Sequence, residues 1–222
     1  MDVLLFGASG MVGQGVLREC LLDDDVRRVV VVVRGPLGQS HAKLSELVVK
    51  DFYDYSAVES QLSGFDACFF CLGVSSVGMK EADYRRVTYD LTLAAATVLA
   101  RLNPQMTFVY VTGASTDSTE RGPQMWARVK GATENALLKL PFKAAYMFRP
   151  GIIQPLNGVR SKTPLYQGIY NVAGPLFWLL SKTSPNLVTT SEKVGRAMLA
   201  VARHGAASPL VEMPDINRLG AA

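Results

Sequence analysis

The stretch LLFGASGMVGQGVL, residues 4–17, sets three glycines, Gly7, Gly10 and Gly13, between an apolar run and an amphipathic one. DVLLF at 2–6 reads as a strand, and the residues from about Met11 to Leu22 read as a helix. Glycine at such a junction allows positive φ, close approach of a ligand to the backbone, and tight packing of helix on strand. The helix start adds free N–H groups and partial positive charge, which suit phosphate. A tight turn without a ligand is the alternative. The position directly after a first strand favours the ligand, with Gly7, Ala8, Ser9, Gly10, Met11, Val12 and Gly13 as its cradle.

Outward from this loop, short β-branched runs alternate with helical patterns. Strands are expected at 27–34, 47–52, 66–73, 106–113 and 143–151, with a last short one at PLVEM. Helices are expected over 81–102, 124–140 and about Ser191 to Arg203, while IIQPLNGVRSKTP after Gly151 reads as loop. RRVVVVVR is apolar without alternation, as in a strand covered on both faces. The rhythm predicts an α/β fold, a Rossmann-like doubly wound parallel sheet of six or seven strands. All 222 residues are expected in one nucleotide-binding domain, with 151–190 as a small C-terminal substrate-side subdomain. Tyr166, Tyr170, Phe177 and Trp178 fall where a substrate lid belongs, although an amphipathic helix burying one face gives the same pattern.

Composition excludes several classes. With 49% hydrophobic and 19% charged residues the chain is neither disordered nor fibrous. The net charge of +4 is scattered, with no block of five or six like charges, so no nucleic-acid footprint emerges. Cys68 and Cys71 lie three apart in DACFFCLG, on opposite faces of a strand, and should neither bridge nor share a metal. His41 and His204 give no ligand spacing, so no metal site is expected. No apolar run reaches the roughly 20 residues of a membrane span, and the N-terminus lacks a signal-peptide pattern. A soluble, cytoplasmic protein is the expectation, with a small-molecule substrate and room for a homodimer or a protein partner.

The end of the second strand bears on which dinucleotide binds. A carboxylate there would accept the ribose 2′-OH of NAD, whereas an arginine suits the 2′-phosphate of NADP. VVVVVRGPLG places Arg34 at that point, with no Asp or Glu before Glu46. NADP(H) is therefore favoured over NAD(H), against the alternative of a solvated strand-end arginine.

These features, with DFYDY (51–55), CFFCLG (68–73), WARVKGATE (126–134), FRPG (148–151) and LVEMPDINRLG (210–220), resemble the atypical short-chain dehydrogenase/reductases of the extended, NAD-dependent-epimerase-like type. Within them the chain is most similar to the Tat-interacting oxidoreductase-like group and its bacterial relatives. The resemblance implies that Asp51 bonds the adenine with Phe52 beside it, and that Cys71, Leu72 and Gly73 line the ribose side. It implies that Lys130 binds the nicotinamide ribose and that Pro150 and Gly151 pass the nicotinamide. Thr112 or Ser115 would supply the catalytic hydroxyl, and for Thr112 a plain strand-end hydroxyl is an equal alternative.

One departure is plain. The family places tyrosine four residues before the lysine, and this chain has Trp126 there. None of its eight tyrosines has a lysine four residues later. An indole N–H donates a hydrogen bond but cannot exchange a proton near neutral pH. Trp126 then donates to a substrate carbonyl, stacks over the nicotinamide, or packs. A proton would come from Thr112 or Ser115 through water, or from a tyrosine at 166 or 170. The leading expectation is an NADP(H)-dependent oxidoreductase on a small carbonyl or alcohol with a non-standard proton donor at the Trp126 site. The alternatives are a non-catalytic NADP(H)-binding redox sensor and a nucleotide-sugar epimerase or dehydratase.

Overall fold

A computed structural model describes residues 1–159 and 187–221 of the chain. Its strands are β1 (Asp2–Phe6), β2 (Arg28–Val33), β3 (Leu44–Val48), β4 (Ala67–Phe70), β5 (Thr107–Val111), β6 (Ala144–Arg149), β7 (Ile152–Gln154), β8 (Val188–Thr190) and β9 (Leu210–Glu212). All but β7 and β8 form one sheet in the order β3-β2-β1-β4-β5-β6-β9, with every pairing parallel. The helices are α1 (Met11–Leu22), α2 (Glu81–Arg85), α3 (Leu91–Leu102), α4 (Met125–Leu137), α5 (Ser191–His204) and α6 (Met213–Leu219). This is the expected Rossmann-like doubly wound sheet, with seven strands.

The central strands have no polar face because both faces are covered. Val3, Leu5, Val29, Val31, Phe69 and Val109 point into a layer closed by α1 and α5. Leu4, Phe6, Val30, Val32, Cys68, Phe70, Phe108 and Tyr110 point the other way, against α3 and α4. Rings on that second face form a row, with Phe6 stacked on Phe70 at 4.9 Å and Phe108 on Phe142 at 4.9 Å. Cys68 belongs to the second layer and Cys71 packs on the first, so strand pleating separates the two thiols.

Several boundaries differ from the expectation. The third strand is Leu44–Val48 rather than 47–52, because it follows the register of β2, from Val29 opposite Leu44 to Val33 opposite Val48. Beyond it the chain turns, the Asp51 carboxylate accepting the Tyr53 N–H at 2.9 Å. The segment after Gly151 is not all loop: β7 pairs in parallel with β8, a partner more than thirty residues away that local pattern does not reveal. The long helix of 81–102 contains a π-helical turn at Arg86–Asp90 between α2 and α3. Helix α6, opened by Pro214 in its first turn, adds an element not foreseen. The proposed lid around Tyr166, Tyr170, Phe177 and Trp178 lies outside the described residues.

Candidate functional site

The turn from β1 to α1 lies where the sheet order reverses, between β2 on one side and β4 on the other. Gly7 has φ +80, and a Cβ there would meet the Cys71 carbonyl carbon at 2.6 Å. A Cβ at Gly13 would lie 2.0 Å from the Gly7 carbonyl oxygen, so α1 sits on the turn only because position 13 is bare. Gly10 caps α1 without a side-chain hydrogen bond, and the first turn carries no acid. Its free N–H groups and positive helix end are therefore not satisfied by a local carboxylate.

A cleft of about 420 Å³ opens over this turn, lined by Gly7, Ser9, Gly10, Met11, Arg34, Phe52, Cys71, Leu72, Gly73, Val74, Val87 and Leu91. An adjoining hollow of about 290 Å³ shares Gly7, Ser9, Arg34, Phe52 and Leu72 and adds Ala8 and the Val32–Leu37 loop. Among the described residues neither part is lined by an Asp or Glu. The Arg34 side chain is exposed and has no hydrogen-bond or ion-pair partner among the described residues. Most of the other arginines are paired, such as Arg18 with Glu19 and Arg203 with Asp23. Asp51 is not part of the cleft lining, and its carboxylate holds the following turn instead. The Cys71 thiol is pushed above its ordinary range by burial, so it is a wall rather than a nucleophile.

Thr112, Ser115, Pro150 and Gly151 lie beyond the C-terminal ends of β5 and β6, and Trp126 and Lys130 on α4, all outside the cleft lining. The Lys130 Nζ donates to the Thr112 carbonyl at 2.7 Å. Burial brings the lysine down to about 8, against the opposing charge of Glu134. The Thr112 hydroxyl is buried and donates to Glu134 at 2.7 Å, with the Phe148 carbonyl 3.1 Å away. Ser115 is exposed, has φ 68, and its hydroxyl has no partner among the described residues. Trp126 is half-buried on the first turn of α4, one turn from Lys130, and its indole N–H is likewise unpartnered there. The Ala114 N–H donates to the Pro150 carbonyl at 2.8 Å, joining the two strand-end loops.

Beneath this group lies a charge network that motif reading did not assign. Glu134 is fully buried and receives the Arg149 guanidinium through two nitrogens, one at 3.0 Å. Arg149 also donates to Glu212 at 3.1 Å, tying β6 to β9 and α4. Gly131 is a further missed residue, since a Cβ there would lie 1.8 Å from the Asp117 carbonyl oxygen. Asp117 in turn organises its loop, accepting from Thr119, Arg121 and Gly122, and those bonds hold its carboxyl below the usual range. The available signal was a glutamate four residues after Lys130 amid small residues, and an arginine closing an apolar strand in FRPG. Val74, Val87 and Leu91 line the cleft through a loop and the π-helical turn, whose facing no periodicity predicts.

No family model matches the chain. It is similar to the protein fmp52-2, mitochondrial, of Aspergillus terreus, with 26% identity over 97% of this chain and 95% of that protein. Protein FMP52, mitochondrial, of Eremothecium gossypii is 30% identical over 69% of this chain and 66% of its own length. Protein HTATIP2 of Rattus norvegicus is 27% identical over 68% of this chain and 62% of its own. Among solved structures, the Bordetella bronchiseptica enzyme WbmF in complex with NAD+ superposes with TM-score 0.68 and 16% identity, over 99% of this chain and 76% of that one. A short chain dehydrogenase family protein of Francisella tularensis gives TM-score 0.66 at 13% identity, over 96% and 98%. The expected cytoplasmic location does not stand against these names, since the fungal relatives are named mitochondrial. No helix among the described residues is long and apolar enough to cross a membrane. With the glycine turn at the switch point and the lysine on α4, the chain is similar to the FMP52 and HTATIP2 proteins and has the fold of the short-chain dehydrogenases, as an atypical member of them would.

Proposed function

We propose that the chain is an NADP(H)-dependent oxidoreductase acting on a small carbonyl or alcohol. Arg34 carries the cofactor choice: it is an unpaired guanidinium on a cleft lined by no acid among the described residues. A planar fork of donors suits a 2′-phosphate, and a ribose hydroxyl offers it much less. The uncapped α1 N-terminus, the bare glycine turn and the open space at Gly73 fit a pyrophosphate and its ribose. When bound, the dinucleotide supplies or accepts hydride. Lys130 would hold the ribose hydroxyls with N–H bonds left over from its contact to Thr112. Ser115, exposed and unpartnered, is the better placed of the two candidate hydroxyls for orienting substrate.

A second reading, a redox sensor without chemistry, draws on Trp126 standing at the tyrosine position and on the Thr112 hydroxyl being held by Glu134. Titration calorimetry with NADPH and NADH tests the cofactor claim common to both. Arg34→Ala should weaken NADPH by about 1.5–3 kcal/mol, the worth of a charge-assisted hydrogen bond, and leave NADH nearly unchanged. Equal affinities in the wild type, or equal losses in the variant, contradict it.

A further inference from the structure

We propose that Lys130 is itself the proton donor to the substrate oxygen, a role that rests on the oxidoreductase reading and fills the place of the tyrosine missing at position 126. The neighbouring groups on the described strand ends are unsuited to it. Trp126 is a donor without an acid–base equilibrium near neutral pH, and the Thr112 proton is held by Glu134. Glu134 is bound by Arg149 and Thr112, and Arg149 stays protonated, held above its ordinary value by that same glutamate. The Cys71 thiol is pushed up by burial, and a serine hydroxyl such as Ser115 is too weak an acid on its own.

Lys130 is fixed at the end of β5 and keeps spare hydrogen-bonding capacity. It is part-buried, and among the described residues one of its three N–H bonds is used, on the Thr112 carbonyl at the end of β5. That contact anchors the ammonium while two N–H bonds remain for ligand oxygens, one for the ribose and one for the reacting carbonyl. Burial lowers its affinity for protons to about 8, close enough to neutral for both forms to be populated. Glu134 on the same helix opposes the shift and keeps it from going further. Other charged groups packed about α4 are already matched: Arg149 from β6 with Glu134 and Glu212, and Arg128 with Glu81 from α2. Asp117, on the loop that lies against Gly131, is bonded to its own loop. The Tyr110 and Tyr84 phenols, from β5 and α2, are both raised by burial and stay neutral.

In the reduction direction the carbonyl carbon would receive the hydride that a bound dinucleotide would supply. As the new C–H bond forms, the carbonyl π pair moves onto oxygen. One Lys130 N–H bond breaks, an alcohol O–H forms, and a neutral amine is left for solvent to reprotonate. Oxidation runs the reverse path and needs the amine neutral at the start.

The test uses the full chain, Lys130→Arg and Lys130→Met. Arginine keeps a cation for the ribose but does not titrate near neutral pH, and methionine removes both properties. Lysine 13Cε shifts, with Lys130 identified by its loss in Lys130→Arg, are followed from about pH 6 to about pH 10.5, and should give a midpoint near 8. Single-turnover oxidation of bound NADPH by 4-nitrobenzaldehyde, the carbonyl probe, should fall about tenfold per pH unit above that midpoint. In Lys130→Arg the falling limb should vanish and the rate drop about 10²–10⁴-fold, while NADPH fluorescence titration still shows binding. A midpoint at the ordinary lysine value, or a limb that survives in Lys130→Arg, overturns the inference. Failure of the wild type to bind NADPH, or to oxidise it with the probe, overturns the oxidoreductase reading and the inference with it.

Discussion

Glu134 shows how a single side chain can join stability to chemistry. It is fully buried, so its charge depends on Arg149 and on the Thr112 hydroxyl for compensation. Glu134→Gln keeps the shape but leaves the Arg149 guanidinium short of a counter-charge in the interior. Unfolding in urea should show a loss of about 3–5 kcal/mol, as for other broken buried pairs. The substitution should also act on Lys130. The carboxylate raises the lysine's proton affinity, so removing it moves the midpoint below about 8 and shifts the falling limb of carbonyl reduction to lower pH. A limb displaced to higher pH would contradict the arrangement. At position 126, Trp126→Tyr restores a phenol one helical turn from Lys130, where the ammonium favours tyrosinate. It should lose roughly 1–2 kcal/mol of stability through the partial void. It should increase NADPH-dependent reduction and add a second acid group to the pH profile. A variant that binds NADPH normally but reduces nothing the wild type reduces would show that Trp126 serves as a platform.

At the scale of elements, α4 is held against its neighbouring loop by the bareness of Gly131. Gly131→Ala would drive a methyl into the Asp117 carbonyl and displace the 113–122 loop that carries Ser115. A loss of about 1–3 kcal/mol is expected from such overpacking, together with a poorer KM for the carbonyl probe. Unchanged stability and KM would mean that this contact is slack. The same elements show which parts of the fold the sequence discloses. The centre of the sheet was legible because β1, β2, β4, β5 and β6 are continuous apolar runs between helical patterns. Edges were not. β3 is positioned by register with β2, β7 exists only through its pairing with β8, and the π-helical turn at Arg86–Asp90 leaves no mark in the spacing of apolar residues. These are settled by partners distant in sequence.

Across the whole molecule, the parallel order places the glycine turn, the proposed phosphate cradle, at the reversal point of the sheet and the lysine-bearing helix beside the next two strands. The glycine turn of the proposed cofactor site was readable because its requirements are backbone requirements, for which glycine is a direct signature in Gly7 and Gly13. The reacting half was only partly readable. Lys130 and Trp126 were singled out by the family resemblance of WARVKGATE, the i,i+4 spacing only setting them on one helix face, but whether the Thr112 hydroxyl faces ligand or Glu134 depends on a strand, a helix and a second strand meeting in space. Whether the chain is an oxidoreductase is decided by following the hydride itself. NADPH deuterated at the nicotinamide C4 position is mixed with the protein and a panel of small aromatic and aliphatic aldehydes and ketones, and the alcohols are examined by mass spectrometry. One deuterium on the carbinol carbon is expected with the wild type, and a yield lower by about 10²–10⁴-fold with Lys130→Met at cofactor saturation. Stoichiometric binding of the deuterated cofactor with no deuterium in any alcohol would contradict the oxidoreductase reading, and would leave a dinucleotide sensor in place of an enzyme.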